Sequence, residues 1–224
     1  MLGFSLAEVL ITLTIIGVVA SISLPSLIQY IQDTQLKIAY KSVYAELDNA
    51  TRRVVSDQGG SIKSSFPDYP DLASSYAKYL IYTKQCTSSS SEGCWHKAGK
   101  WSSLSGDPDG DSNVGISSGA TTPGFILNNG TLLYFSSLDG NCTNKFGYTD
   151  YYYCARIDVD VNGFKGPNKI GKDIFGMYIR EDGIKPLGIT GDWTLFSDCI
   201  QPPKANWNAY NNSGYGCSAQ YLQQ

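Results

Sequence analysis

The sequence predicts an α+β protein in which one long N-terminal α-helix packs on an antiparallel β-sheet with disulfide-closed loops. Three observations support this prediction: an apolar run at the N-terminus, strand-like runs with turn signals in the second half, and six cysteines in 224 residues. Because the helix comes first and the strands follow together, segregated layers are expected instead of alternating βαβ units.

Composition narrows the class of protein. Hydrophobic residues make up 42% of the chain and aromatic residues 12%, which argues against wholesale disorder. The net charge of −3 disfavours a basic nucleic-acid binder, so no nucleic-acid partner is predicted. His96 is the single histidine, which excludes sites that need two.

The segment Phe4–Ile28 is almost entirely apolar and carries one charge, Glu8. As an α-helix it would be about 37 Å long, enough to cross a hydrocarbon core of about 30 Å. A secretory signal peptide would have a basic front, which Met1–Gly3 lacks. A plain single-span anchor fits the length but leaves Glu8 unexplained, because a carboxylate inside a membrane helix costs a few kcal/mol.

The run Gly3-Phe4-Ser5-Leu6-x-Glu8, directly before the apolar segment, resembles the processing site of the type IV pilin and type II secretion pseudopilin superfamily. In that family a prepilin peptidase cuts after the glycine and methylates the new N-terminus. The resemblance implies cleavage after Gly3 and a methylated amine on Phe4. It also implies that Glu8 neutralises the amine of a neighbouring subunit. Family leaders usually carry basic residues before the glycine, and this chain has none.

This resemblance implies a pilin-like fold and a structural subunit of an extracytoplasmic filament, not an enzyme. The partners it implies are the prepilin peptidase and methyltransferase, copies of the chain or related pilins, and an inner-membrane assembly machinery. The protein would be a single-pass membrane protein before assembly and part of a periplasmic or cell-surface filament afterwards. The alternative is a membrane-anchored surface adhesin or binding module that does not polymerise.

The helix is expected to continue beyond the membrane to about residue 56. Pro25 predicts a kink or local melting, since it lacks a backbone donor. Beyond it, apolar residues recur at steps of three and four and form one stripe: Leu36, Tyr40, Val43, Leu47, Ala50 and Val54. We expect this stripe to pack on a sheet of the same chain, with a coiled-coil dimer as the alternative.

The sequence therefore divides into four parts: a leader remnant (1–3), a membrane or assembly half of the helix (4–28), an amphipathic half (29–56) and a globular head (57–224). Helical spacing predicts a second helix around Asp71–Tyr82. Residues 87–124 are rich in Ser, Gly, Thr and Asp, which predicts a long surface excursion.

Strand signals follow this excursion. Asn129-Gly130 lies between two apolar runs within Phe125–Phe135, which is the strongest short-range hairpin signal. Tyr152–Val161 and Ile174–Arg180 add two strand-like runs, and Asp182-Gly183 turns the chain again. Three to five antiparallel strands are expected.

The six cysteines predict structural disulfides. They allow fifteen connectivities, of which nearest-neighbour pairing is the simplest. Each bridge would then close one loop and contribute about 3 kcal/mol through the unfolded state. No C-x-x-C occurs, which disfavours a metal site, and a catalytic thiol is also disfavoured. The pairs would be Cys86–Cys94, Cys142–Cys154 and Cys199–Cys217.

Two acidic segments could bind a hard cation. Asp158, Asp160 and Asn162 alternate before Gly163, as at the start of a calcium loop, with Asp173 as a candidate fourth ligand. The twelfth position is Lys169 instead of glutamate, so the usual bidentate ligand is missing. The alternative is that Asp158 and Asp160 lie on the outward face of a strand.

The first acidic segment, residues 107–113, is better explained as a solvated turn. At most one structural calcium is therefore predicted, and no other cofactor.

The C-terminal stretch 193–221 is rich in aromatic residues. Trp207, Tyr210 and Tyr215 could form an adhesive or sugar-binding surface, but packing against the sheet or a neighbouring subunit is the favoured interpretation. The chain carries no P-loop and no G-x-G-x-x-G dinucleotide-binding motif, and an enzyme is not predicted.

Overall fold

The computed structural model describes residues 5–97, 99–104, 106, 122–145, 152–189, 199 and 214–223. Their elements, in chain order, are α1 (Leu6–Asp57), α2 (Tyr69–Ala77), β1 (Tyr82–Cys86), β2 (Gly124–Leu127), β3 (Leu132–Leu138), β4 (Asn144–Lys145), β5 (Tyr152–Tyr153), β6 (Ala155–Asp160), β7 (Ile174–Arg180), β8 (Gly183–Pro186) and α3 (Cys217–Gln223). The fold is α+β, as predicted, with one long N-terminal helix, an antiparallel sheet and disulfides.

The chain forms two compact units, Met1–Leu36 and Lys37–Gln224. The boundary therefore lies within α1, eight residues beyond the division that hydropathy suggested at residue 28. In the first unit, the described residues from Ser5 to Gln32 are solvent-exposed apart from half-buried Ala20. Among the described residues of the first unit, none packs over this part of the helix.

The second unit is built on a six-stranded antiparallel sheet in the order β1-β2-β3-β6-β7-β8. It exceeds the predicted three to five strands because β1 and β8 are short edge strands with weak sequence signals. The predicted hairpin is confirmed: Ile126 pairs with Leu132 across the turn, and Gly130 has the positive φ of 86° that such a turn requires. A separate two-stranded ribbon pairs β4 with β5.

One face of this sheet is covered by the second half of α1. Tyr40 stacks on Phe175 of β7 with ring centroids 4.1 Å apart. Leu133, Val159 and Phe175 lie in one cross-strand row, so they share that face. The predicted apolar stripe is thus buried by the sheet of the same chain. A coiled-coil dimer is therefore not needed to cover it. The buried stripe residues are Tyr40, Val43, Leu47, Ala50 and Val54.

The second helix is α2, shorter than predicted. Asp68 is its N-cap and accepts a hydrogen bond from the Asp71 amide, so the helix begins two residues earlier than expected. It ends at Ala77, and Tyr82 belongs to β1 instead. The Tyr76 hydroxyl lies 2.7 Å from the Thr51 hydroxyl, which ties α2 to α1.

The other face of the sheet is covered by loop segments, which corrects the expectation of a solvated excursion over residues 87–124. In its described part, Trp95 and Trp101 are 2% and 3% exposed. They belong to a core cluster with Tyr134, Ile174 and Tyr215. The second unit therefore has three layers: the helix, the sheet and a layer of irregular chain.

Candidate functional site

The N-terminal half of α1 is a candidate membrane anchor by its length and apolar composition. Its large apolar side chains point away from any cover: Leu6 is 79% exposed and Ile22 is 73% exposed. A soluble protein rarely leaves so continuous an apolar surface open to water. This exposure is consistent with a candidate membrane anchor.

Glu8 is the one ionisable side chain near the start of this helix, and it accepts hydrogen bonds from Ser5. Both the backbone N–H and the hydroxyl of Ser5 donate to Glu8 Oε2, at 2.8 and 2.9 Å. The Glu8 amide in turn lies 3.3 Å from the Ser5 Oγ. This reciprocal arrangement is a capping box, which satisfies donors at the helix start. The predicted processing residues Gly3 and Phe4 lie outside the described residues.

The hydroxyl groups of the apolar half are all satisfied locally. Each Ser or Thr side chain between residues 12 and 34 donates to a carbonyl three or four residues earlier, at 2.8–2.9 Å. The pairs are Thr12–Val9, Thr14–Leu10, Ser21–Val18, Ser23–Val19, Ser26–Ser23 and Thr34–Tyr30. In hydrocarbon an unsatisfied donor costs several kcal/mol, so this pattern suits a lipid or helix-packed environment.

Pro25 lies inside α1 and the backbone stays helical on both sides of it. Of the two effects that Pro25 predicts, a kink or local melting, local melting is not seen. A proline in a helix removes one hydrogen bond, and neighbouring hydroxyls can compensate for part of that loss. Ser21 and Ser23 occupy the preceding turn.

The six cysteines form three disulfides, Cys86–Cys94, Cys142–Cys154 and Cys199–Cys217. This is the nearest-neighbour pairing that the sequence favoured. All but the half-buried Cys199 are nearly inaccessible to solvent. The first bridge fixes Cys94 at the end of β1 and so brings Trp95 and His96 onto the sheet. With all six thiols bonded, neither a thiolate metal site nor a catalytic thiol remains.

Each predicted calcium ligand makes at least one hydrogen bond within the described part of the protein, although Asp158 Oδ2 and Asn162 Oδ1 are buried there without a partner. Asp158 is fully buried and its Oδ1 accepts a hydrogen bond of 2.8 Å from the Arg156 guanidinium. Asn162 donates from its side-chain amide to the Gly166 carbonyl at 3.2 Å. A calcium ion needs several free oxygens that converge. Among the described residues, no three His, Cys, Asp or Glu side chains are placed to hold a metal.

Asp160, at the end of β6, and Asp173, just before β7, lie near His96. His96 Nε2 lies 2.8 Å from Asp160 Oδ2, and both residues are buried. Asp173 accepts hydrogen bonds from the Asn168 and Lys169 amides at 2.8 and 2.6 Å. Burial raises the pKa of Asp160 to about 9, assisted by the nearby Asp173 carboxylate. Burial lowers the pKa of His96, an effect that Asp173 opposes.

The Arg156–Asp158 pair is covered by Tyr215 of the C-terminal segment. The Arg156 guanidinium carbon lies 4.4 Å from the centre of the Tyr215 ring. Gly176 makes this approach possible, because a Cβ there would lie 3.1 Å from the Tyr215 ring and 3.0 Å from Asp158 Oδ1. This confirms, for Tyr215, that the aromatic residue packs against the sheet. Trp207 and Tyr210 lie outside the described residues, as does the 107–113 segment.

The sequence offered Asp158 and Asp160 as calcium ligands or, alternatively, as the outward face of a strand; they do lie in a strand, β6, but not in solvent. Both are fully buried in the structure. The roles of Arg156 and His96 were missed for the same reason. The available signal was the pair of tryptophans, Trp95 and Trp101, inside an otherwise polar stretch, since large aromatic side chains seldom stay in water.

Comparison of the chain with protein-family models, curated proteins and solved structures finds no match. The geometry of the site must therefore support any functional proposal on its own.

Proposed function

We propose that this chain is a structural subunit of an extracytoplasmic filament, either a type IV pilus or a type II secretion pseudopilus. The observation that supports it best is the first unit: an apolar helix without cover in its own unit, with a single carboxylate, Glu8, at its start. In a helix that only anchors, that carboxylate would serve only to cap the first turn through Ser5. A helix that packs against copies of itself can pair Glu8 with a cation of its neighbour.

In this proposal, a prepilin peptidase cuts after Gly3 and methylates Phe4. The amine of Phe4 in one subunit then pairs with Glu8 of the next, an interaction that is much stronger in low dielectric than in water. Leaving either charge alone is the costly state, so pairing favours subunits in register. The precursor is a single-pass membrane protein handled by an inner-membrane assembly machinery, and the second unit supplies the surface of the filament.

The decisive measurement is the N-terminal residue and intact mass of the protein recovered from its native cell envelope. A chain that begins at Phe4 and carries one extra methyl group supports peptidase processing. A chain that retains its leader supports the alternative of a membrane-anchored adhesin. A chain that starts near Ser21 would indicate an ordinary signal peptide and end the filament proposal.

A second experiment tests assembly itself. The variant Glu8→Gln removes the charge and keeps the shape, so filament yield should fall strongly while the protein still reaches the membrane. Asp48→Asn is the matched control, because Asp48 is a half-buried carboxylate of α1 that pairs with Arg52 within the second unit. Unchanged filament yield in Glu8→Gln would count against the pairing.

A further inference from the structure

The C-terminal helix α3 contacts α1 at the start of the second unit. The Lys37 ammonium lies 4.6 Å from the centre of the Tyr221 ring. Tyr221 also meets Phe175 edge-on, with ring centroids 5.8 Å apart. Phe175 in turn stacks on Tyr40, so these four side chains form one continuous contact from α3 through β7 to α1.

Several independent contacts fix α3 on the sheet. The Gly176 amide donates to the Ser218 hydroxyl at 3.2 Å, and the Ala219 amide donates to the Leu187 carbonyl at 2.9 Å. The Tyr221 hydroxyl donates to the Gly171 carbonyl at 3.2 Å. The disulfide from Cys217 adds a covalent tie. Because α3 is held by the sheet, Tyr221 is a fixed surface against which α1 can rest.

The position of this contact along α1 is informative. Tyr40 is the first fully buried residue of α1, and Lys37 is only half-buried. The contact with Tyr221 therefore lies where the burial of α1 begins. A helix end that lacks such cover opens more easily than the buried middle, since local stability follows burial.

We propose that α3 is a clamp that positions the assembly helix, with Tyr221 as its positioning residue. The clamp holds Lys37–Tyr40 on the second unit and so fixes the residue at which α1 leaves it. A filament needs each copy of α1 to leave its unit at the same residue, so that the exposed halves pack in register. The effect on filaments rests on the proposed function, whereas the clamp itself is a property of the folded chain.

Hydrogen exchange of the full chain in detergent micelles tests the clamp. In Tyr221→Ala the amides of residues 37–44 should exchange about tenfold faster, because a half-buried aromatic ring and its cation contact are lost. Tyr221→Phe keeps the ring and loses only the hydroxyl, so exchange should rise much less. The strands β3, β6 and β7 should keep their protection in both variants.

Tyr79→Ala is the matched control. Tyr79 is also a half-buried tyrosine, and it contacts α1 at the opposite end, through its hydroxyl to Asp57 and its ring to Arg53. Its loss should raise exchange near residues 53–57 and leave 37–44 unchanged. Comparing Tyr221→Ala with Tyr79→Ala distinguishes a local clamp from general destabilisation.

Two results would overturn the proposal: unchanged exchange at 37–44 in Tyr221→Ala, or an equal rise across the whole sheet. Filament yield is the second readout. If wild-type chains form no filament while exchange changes as expected, the clamp stands and the proposed function fails. If wild-type chains assemble and Tyr221→Ala shifts exchange without lowering filament yield, the clamp has no role in assembly, which also overturns it.

Discussion

His96 and Asp160 share a buried hydrogen bond, with Nε2 and Oδ2 2.8 Å apart. The pair joins the segment that follows the first disulfide to the end of β6. Asp173 lies close enough to influence both pKa values. The stability of the second unit is therefore linked to pH.

We expect the free energy of unfolding to fall by about 2 kcal/mol between pH 7 and pH 9, since one proton corresponds to about 1.4 kcal/mol per pH unit. The pKa of Asp160 is about 9 in the folded state and 3.8 in the reference state. Over this range the folded state holds the extra proton, so raising the pH favours unfolding. Asp173, whose pKa burial also raises, acts in the same direction.

At acid pH, His96 makes the opposite contribution: the free energy of unfolding falls as the pH is lowered. Its pKa is lowered on folding, so the unfolded chain binds the proton first below about pH 6.5. Urea titrations at a series of pH values measure both limbs. Asp160→Asn should reduce the alkaline limb, whereas Asp48→Asn, a substitution at a half-buried residue of α1, should leave it unchanged. An alkaline limb of unchanged size in Asp160→Asn would contradict the assignment, since only the smaller part due to Asp173 should remain.

Arg156→Met should destabilise the protein by about 3–5 kcal/mol, because it leaves the Asp158 carboxylate buried without its cation. Asp158 is fully buried and Arg156 is 7% exposed, so water cannot replace the guanidinium. The double variant Arg156→Met, Asp158→Asn should recover part of the loss. Urea midpoints of the three proteins test this, and a single-variant loss under about 1 kcal/mol would refute it.

Gly188→Ala should destabilise by at least about 2 kcal/mol, since it combines overpacking with an unfavourable backbone conformation. Gly188 has φ of +90°, and a Cβ there would lie 2.5 Å from the Gly216 Cα. Gly183→Ala is the control, because the same atom at Gly183 meets nothing within 4 Å. Equal melting temperatures for the two variants would show that the C-terminal segment does not pack as described.

Ser5→Ala should lower filament yield about fivefold without changing N-terminal processing, given about 1 kcal/mol for a capping contact. The substitution removes the hydroxyl that donates to Glu8. Ser5→Thr keeps a hydroxyl and should restore the yield. Mass spectrometry of the N-terminus and filament quantification provide the two readouts, and a processing defect in Ser5→Ala would point to the peptidase instead.

Calcium should leave the melting temperature unchanged to within about 1 °C, because the Asp158 and Asp160 carboxyl groups already bond to Arg156 and His96. The comparison is between chelator-treated protein with and without millimolar calcium. A rise of several degrees in the melting temperature would support the predicted calcium site at Asp158, Asp160, Asn162 and Asp173.

Local patterns predicted much of the fold. The apolar stripe from Tyr40 to Val54 predicts the second half of α1, and Asn129-Gly130 predicts the hairpin between β2 and β3. Both signals lie within a few neighbouring residues of the chain. Nearest-neighbour disulfides also follow from chain proximity. These features need no knowledge of distant contacts.

The burial of the polar face of β6 could not be predicted from local patterns in the same way. The alternation of Arg156, Asp158 and Asp160 with apolar residues is what a solvent-facing strand shows. Its burial depends on Trp95 and Tyr215, which lie about sixty residues away on either side of the strand. Such burial is decided by tertiary packing, which the local pattern does not contain. For the candidate site, the sequence singled out Glu8, whereas its contact with Ser5 came from the structure.

The disulfide pattern bears on how the chain is made. Each cysteine is bonded to the next one along the sequence. As a chain crosses a membrane with its N-terminus held, thiols reach the oxidising side in sequence order. For a chain exported as proposed, an oxidant that joined the cysteines in order of arrival would form this set without any reshuffling of disulfides, so we expect native pairing without a disulfide isomerase.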